Sequence, residues 1–185
     1  MARTGSVGLL LNAAGFQVVW LGCVWGAGQG GLPWLGPVLA LAFAAATLSW
    51  GGRYAEDIRL LALILLLGLV LDTAWVRLGW LDYPHPWPLE GIAPGWIMGL
   101  WLGFGMTLNH SLAALRRRPV LAAALGGIGG PMAYLAAEKV FGAVVLVAPN
   151  WRILCVLAVA WAVLLPLLFA LTEKSARITR SRAGP

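Results

Sequence analysis

The chain confines its charges almost entirely to short segments between long apolar stretches, and this limits the folds open to it. Within those stretches the polar side chains reduce to Asn12, Gln17, Asp72, Asn109, His110 and a few hydroxyls. A backbone surrounded by lipid must satisfy its own hydrogen bonds, so runs of this kind form helices. Polar groups inside such helices are costly and tend to mark functional sites.

With 61% hydrophobic and 11% charged residues and a mean hydropathy of +0.84, the composition is that of an integral membrane protein. A spanning helix needs about 20 apolar residues. Six stretches qualify or come close: 7–26, 34–50, 58–80, 95–115, 119–141 and 151–171. The expected fold is all-α, a polytopic membrane bundle of about six transmembrane helices, with one domain over 1–172 and a basic cytoplasmic tail over 173–185. Arg3 ahead of an apolar run has the look of a signal peptide, but Gln17 and Trp20 interrupt the run, so it is read as a retained helix. The proline-rich segment 81–94, LDYPHPWPLEGIAP, breaks any helix and is expected to cap the outer face.

Lys and Arg in short loops are retained on the cytoplasmic side. With the N-terminus inside, Arg3, Arg53, Arg59, Arg116, Arg117, Arg118, Lys174, Arg177, Arg180 and Arg182 are cytoplasmic, against Arg77, Lys139 and Arg152 outside. Both termini are thus placed in the cytoplasm. The net charge of +6 follows from this topology and from contact with anionic lipid; it does not point to nucleic acid.

The polar residues sort by depth. Asn12, Asn109 and His110 fall in a cytoplasmic layer, where the first and fourth helices are expected to be neighbours. Asp72, Trp75, Tyr134 and Glu138 fall in an outer layer. An aspartate near a helix centre costs about 2.5–3.5 kcal/mol on insertion scales, so Asp72 must face protein or water. Arg77 lies too close to the interface to serve it, and Lys139 or His110 would have to reach it from other spans. Asp72, Asn109, His110, Asn12, Glu138, Tyr134 and Gln17 are the candidates for binding a headgroup or moving protons; interhelical hydrogen bonding is the alternative for Asp72, Asn109 and His110, and an interfacial anchor pair with Lys139 the alternative for Glu138. Trp20, Trp75, Trp101 and Trp161 sit deeper, where they either fill the core or line a cavity suited to an apolar chain or a flat hydrophobic ring, while other tryptophans sit near span ends as aromatic belts.

No metal or other cofactor is expected. His110 and His85 fall on opposite sides, no Cys/His spacing pattern exists, and GxSxG and P-loop motifs are missing. Gly22 with Gly26 and Gly99 with Gly103 are small-xxx-small pairs suited to close helix packing. Cys23 and Cys155 fall at similar depth near the outer face and could meet.

The pattern N-x4-Q-x2-W in the first span, Asp72 in the third, GWIMGLWLGFGMTLNHSL in the fourth and GGIGGPMAYLAAEKVFGAVV in the fifth resembles a bacterial family of small multi-pass inner-membrane proteins classed as a domain of unknown function. Genes of that family often lie near those for cyclopropane-fatty-acyl-phospholipid-synthase-like methyltransferases. The resemblance implies a role in lipid modification and carries over no catalytic residue. Three functions are therefore carried forward. The first is a lipid-handling protein of the bacterial cytoplasmic membrane, with membrane lipid and lipid-modifying enzymes as partners. The second is a small proton-coupled transporter, which would need a homo-oligomer for symmetry. The third is a structural or scaffolding subunit.

Overall fold

The computed structural model describes residues 5–50, 54–147 and 149–182, with side chains through Thr172. Arg3, Arg53 and the side chains of the basic tail, all used in the topology count, lie outside the described residues. The helices are α1 (Ser6–Ala27), α2 (Leu35–Trp50), α3 (Tyr54–Arg77), α4 (Gly95–Leu108), α5 (Pro119–Lys139) and α6 (Asn150–Arg182). A 3-10 helix (Ala113–Arg117) and the short strands β1 (Leu81–Asp82) and β2 (Val145–Leu146) complete the described elements.

Four helices, Ser6–Ala27, Tyr54–Arg77, Pro119–Lys139 and the segment Asn150–Thr172, are long and apolar enough to cross a membrane. Leu10, Leu66, Ile128 and Val159 on these helices are 60–70% exposed, which suits lipid and not water. The chain is therefore a membrane protein. Helices α2 and α4 are shorter, at 16 and 14 residues, and fall below the usual spanning length.

Several expected boundaries move, each for a local reason. The fourth helix was expected to run to Leu115 but stops at Leu108. There the backbone N–H groups of His110 and Leu112 both donate to the Thr107 carbonyl, and the turn sends Asn109 and His110 inward. The third helix starts at Tyr54 instead of Ile58, so Glu56 and Asp57 fall in its first turn, where the helix dipole favours acidic groups. The sixth continues past Leu171 to Arg182.

Helix α4 packs against α1, α2 and α3, while α5 and α6 pair closely with each other. The second group joins the first where α3 meets α6 and where the 3-10 helix touches both α5 and α6. Cys23 is buried in α1, whereas Cys155 is exposed on α6, and both thiols are free, so the suggested meeting of the two does not occur. At the end of the bundle opposite Arg116–Arg118, β1 and β2 form an antiparallel ribbon with Leu81 opposite Leu146. Glu138 fastens the ribbon to α5 by accepting a hydrogen bond from the Leu146 N–H at 2.9 Å. The loop after β1 folds back so that Tyr83 is buried with its ring edge-on to Trp96.

Close approach of α5 to α6 depends on Gly126. A Cβ there would lie 2.3 Å from the Trp161 carbonyl oxygen, a backbone atom with no rotamer to escape into, whereas a Cβ at Gly129 meets nothing within 4 Å. Gly126→Ala is expected to destabilise the protein by roughly 1–3 kcal/mol through overpacking, while Gly129→Ala leaves stability unchanged or improved. Thermal unfolding of the two variants in the same detergent checks this.

Candidate functional site

Asp72 is fully buried in α3 and gathers three donors from three other parts of the chain. The Trp101 indole N–H of α4 donates to Oδ2 at 2.7 Å. The Tyr83 hydroxyl from the loop donates to Oδ1 at 3.0 Å, and the Tyr134 hydroxyl of α5 donates to the same oxygen at 2.5 Å. All three partners are neutral; neither of the charged partners considered from sequence, Lys139 and His110, is among them. Lys139 pairs with its neighbour Glu138 at 2.9 Å. Burial, reinforced by the Asp72 carboxyl beside it, holds the Tyr83 phenol well above its ordinary pKa, so it stays a donor.

Two of these donors also line a cavity of about 650 Å³. Phe16, Gln17, Trp20 and Val24 of α1 form one wall, and residues from Leu125 to Ala137 of α5 form the other. Trp96, Ile97, Leu100, Trp101 and Phe104 of α4, with Trp161 and Leu165 of α6, form the floor; Leu112 and Leu115 close one end. The Trp101 and Trp161 rings stack with centroids 5.2 Å apart and planes 15° from parallel, and Phe104 meets Trp161 edge-on. Gly68 makes this possible from behind, because a Cβ there would lie 2.3 Å from the Trp101 ring. The lining is overwhelmingly apolar. Gln17 and Met132 are exposed at its sides, so it is a groove open between α1 and α5.

A second polar cluster lies at the Arg116–Arg118 end. Asp57, buried in the first turn of α3, accepts from the Asn109 side-chain N–H at 2.8 Å and pairs with His110 Nε2 at 3.0 Å. Arg116 donates to Asn109 Oδ1 at 2.6 Å. Asn12 of α1 completes the layer: its amide donates to the Met106 carbonyl at 3.2 Å, and its oxygen accepts from the Ser111 hydroxyl at 2.7 Å. Asn12 of α1 thus shares one layer with Asn109 and His110 in the turn after α4. No group of three or more potential metal ligands occurs among the described residues.

The other candidates divide. Trp20, Trp101, Trp161, Tyr134 and Gln17 line the groove, but Trp75 does not, because its ring stacks on Trp80 with centroids 5.4 Å apart. Glu138 belongs to the ribbon contact and not to the Asp72 cluster. Two central residues escaped sequence reasoning. Asp57 falls one residue before the stretch 58–80, although its neighbour Glu56 and the apolar run that follows are a helix-start signal. Tyr83 was absorbed into the proline-rich cap, and nothing local announces that its hydroxyl turns inward.

A family model described as a protein of unknown function (DUF2878) matches residues 9–167. No curated protein and no solved structure matches the chain.

Asp72→Asn keeps an oxygen for the Trp101 N–H and lets both hydroxyls turn to accept from the new amide, so it is expected to fold with a modest loss. Asp72→Ala leaves the buried indole N–H without its acceptor, at about 1–3 kcal/mol for each donor orphaned. The order of thermal stability, wild type above Asn and Asn well above Ala, is the expected outcome; equal stability of Ala and wild type would show that the cluster holds nothing together.

Proposed function

Since the chain belongs to this family of unknown function (DUF2878), we propose that it is a multi-pass protein of a bacterial cytoplasmic membrane that holds one acyl chain of a membrane lipid in its groove. It would act there as a lipid-handling protein or as an accessory to enzymes that modify membrane lipids. The groove carries this reading: its volume of about 650 Å³ sits within the roughly 300–1,000 Å³ of small-ligand sites. It is lined by aromatic rings and glycines, which give a smooth apolar wall with few polar atoms to orient a compact solute. It opens between two helices that are long and apolar enough to face lipid. The lining residues on α5 run from Leu125 to Ala137, about 18 Å at the helical rise of 1.5 Å per residue. That is close to half of a hydrocarbon core about 30 Å thick, the depth one leaflet's acyl chains occupy.

The proton-coupled transporter finds less support. Asp72 has no exposed surface, and its oxygens are turned toward Trp101, Tyr83 and Tyr134, not toward the groove. We place the Arg116–Arg118 end in the cytoplasm. Arg59 near the start of α3 and the arginines between α4 and α5 lie at that same end, in keeping with the retention of positive charge inside.

Native mass spectrometry of the protein purified in mild detergent is expected to show one retained lipid per chain. Gly129→Phe projects a ring into the groove from a position with open space around it, and is expected to cut the lipid-bound fraction at least severalfold while the unfolding temperature is kept. An unoccupied wild-type protein that also fails to take up added phospholipid would end the proposal.

A further inference from the structure

The two ends of the groove differ chemically, and the difference selects a class of lipid. At the ribbon end, α1 and α5 are tied together. The Gln29 side-chain N–H donates to the Val140 carbonyl at 2.7 Å, and Trp20 meets Phe141 edge-on with centroids 5.8 Å apart. The Trp96 indole N–H at that end is buried and has no hydrogen-bond partner among the described residues. No basic side chain lines the groove there to meet a charged headgroup.

The opposite end is closed by the 3-10 helix and its N-cap residue, with Leu115 and Leu112 lining the groove. Immediately beyond them come three consecutive arginines. Arg116 is turned inward onto Asn109, while Arg117 and Arg118 are exposed. Helix α5 begins at Pro119, directly after these arginines, so the positive end of its dipole adds to the same region. An apolar channel of single-leaflet length that ends beside two exposed guanidinium groups is complementary to a lipid with an anionic head.

We propose that the groove is a binding site for an anionic phospholipid, with one acyl chain between α1 and α5 and the phosphate at Arg117 and Arg118. The site rests on the acyl-chain reading above and adds to it the headgroup, its charge and its end of the groove. Guanidinium groups suit this role because their planar N–H fork matches phosphate oxygens.

The test titrates delipidated protein with dioleoyl phosphatidylglycerol and with dioleoyl phosphatidylcholine, which share the same chains, and reads the bound fraction by native mass spectrometry. Wild type is expected to prefer phosphatidylglycerol by about tenfold or more, since each basic side chain near an anionic head contributes on the order of a fewfold in affinity. Arg117→Gln with Arg118→Gln should weaken phosphatidylglycerol far more than zwitterionic phosphatidylcholine and so bring the two lipids to parity; both positions are exposed, so the fold is expected to survive. Gly129→Phe should lower binding of both lipids. Equal affinity of the wild type for the two, with Gly129→Phe still blocking both, would overturn the headgroup assignment and leave the acyl-chain site standing. Binding of neither lipid would overturn both, as would dimerisation through the groove abolished by Gly129→Phe. A preference that survives the double arginine variant, or phosphatidylglycerol binding that survives Gly129→Phe, would place the anionic lipid elsewhere and also overturn the assignment.

Discussion

The Asp72 carboxyl is the joint on which the rest of the bundle depends. Its two oxygens accept from α4, from α5 and from the loop after β1, so one side chain on α3 fixes the positions of three other segments. In a lipid environment the hydrophobic effect gives little preference for one helix neighbour over another, because lipid tails are as apolar as leucine. Directional contacts and close packing must then decide which helices meet. A carboxyl with its donors all supplied by protein does this more sharply than apolar contact can, because any rearrangement would strand a polar group in hydrocarbon.

The same joint shapes the groove. Trp101 cannot donate to Asp72 and also fill the space between the two helix groups, so its ring lies flat against Trp161 with Gly68 behind it. Gly126 then lets α6 come near enough for Trp161 to reach that stack. Bulky rings pinned at the floor and glycines along one wall leave a long hollow between them. The tryptophans are thus held in place by polar contacts on one edge while presenting apolar faces on the other, a use for which indole is suited.

Much of this could be seen in the sequence, and the remainder could not for identifiable reasons. The apolar runs gave the six helices and their order, because hydropathy over some 20 residues is a strong signal. Asp72, Asn109 and His110 stood out because a polar group in an apolar run is conspicuous. Their partners did not: Asp57 sits among other polar residues at a helix start, and Tyr83 is a tyrosine in a loop of prolines, so neither breaks a pattern. The early end of α4 was hidden because apolar residues resume at Leu112 after only three polar ones; it is hydrogen bonds to Thr107 and Asp57 that turn the chain. The ribbon of two residues per strand is too short for any alternation to register. Which of the deep tryptophans line the groove depends on helix rotation, and that is set by tertiary contacts such as the Trp75–Trp80 stack.

The two polar layers remain separate, and that separation bears on mechanism. Trp101, which meets Asp72, and Asn109, which meets Asp57, are eight positions apart on the chain, about 12 Å at helical rise. The intervening α4 residues Leu102, Phe104 and Met106 carry no titratable group. Neither carboxylate lies in the groove itself: Asp72 stands behind Trp101 and Tyr134, which line it, and Asp57 anchors the turn leading to the 3-10 helix. Each layer therefore secures one end of the floor, and the space between them is left apolar. A proton path needs polar groups or water at hydrogen-bond spacing along its length, whereas an acyl chain needs their absence. The side chains between the two layers meet the second requirement.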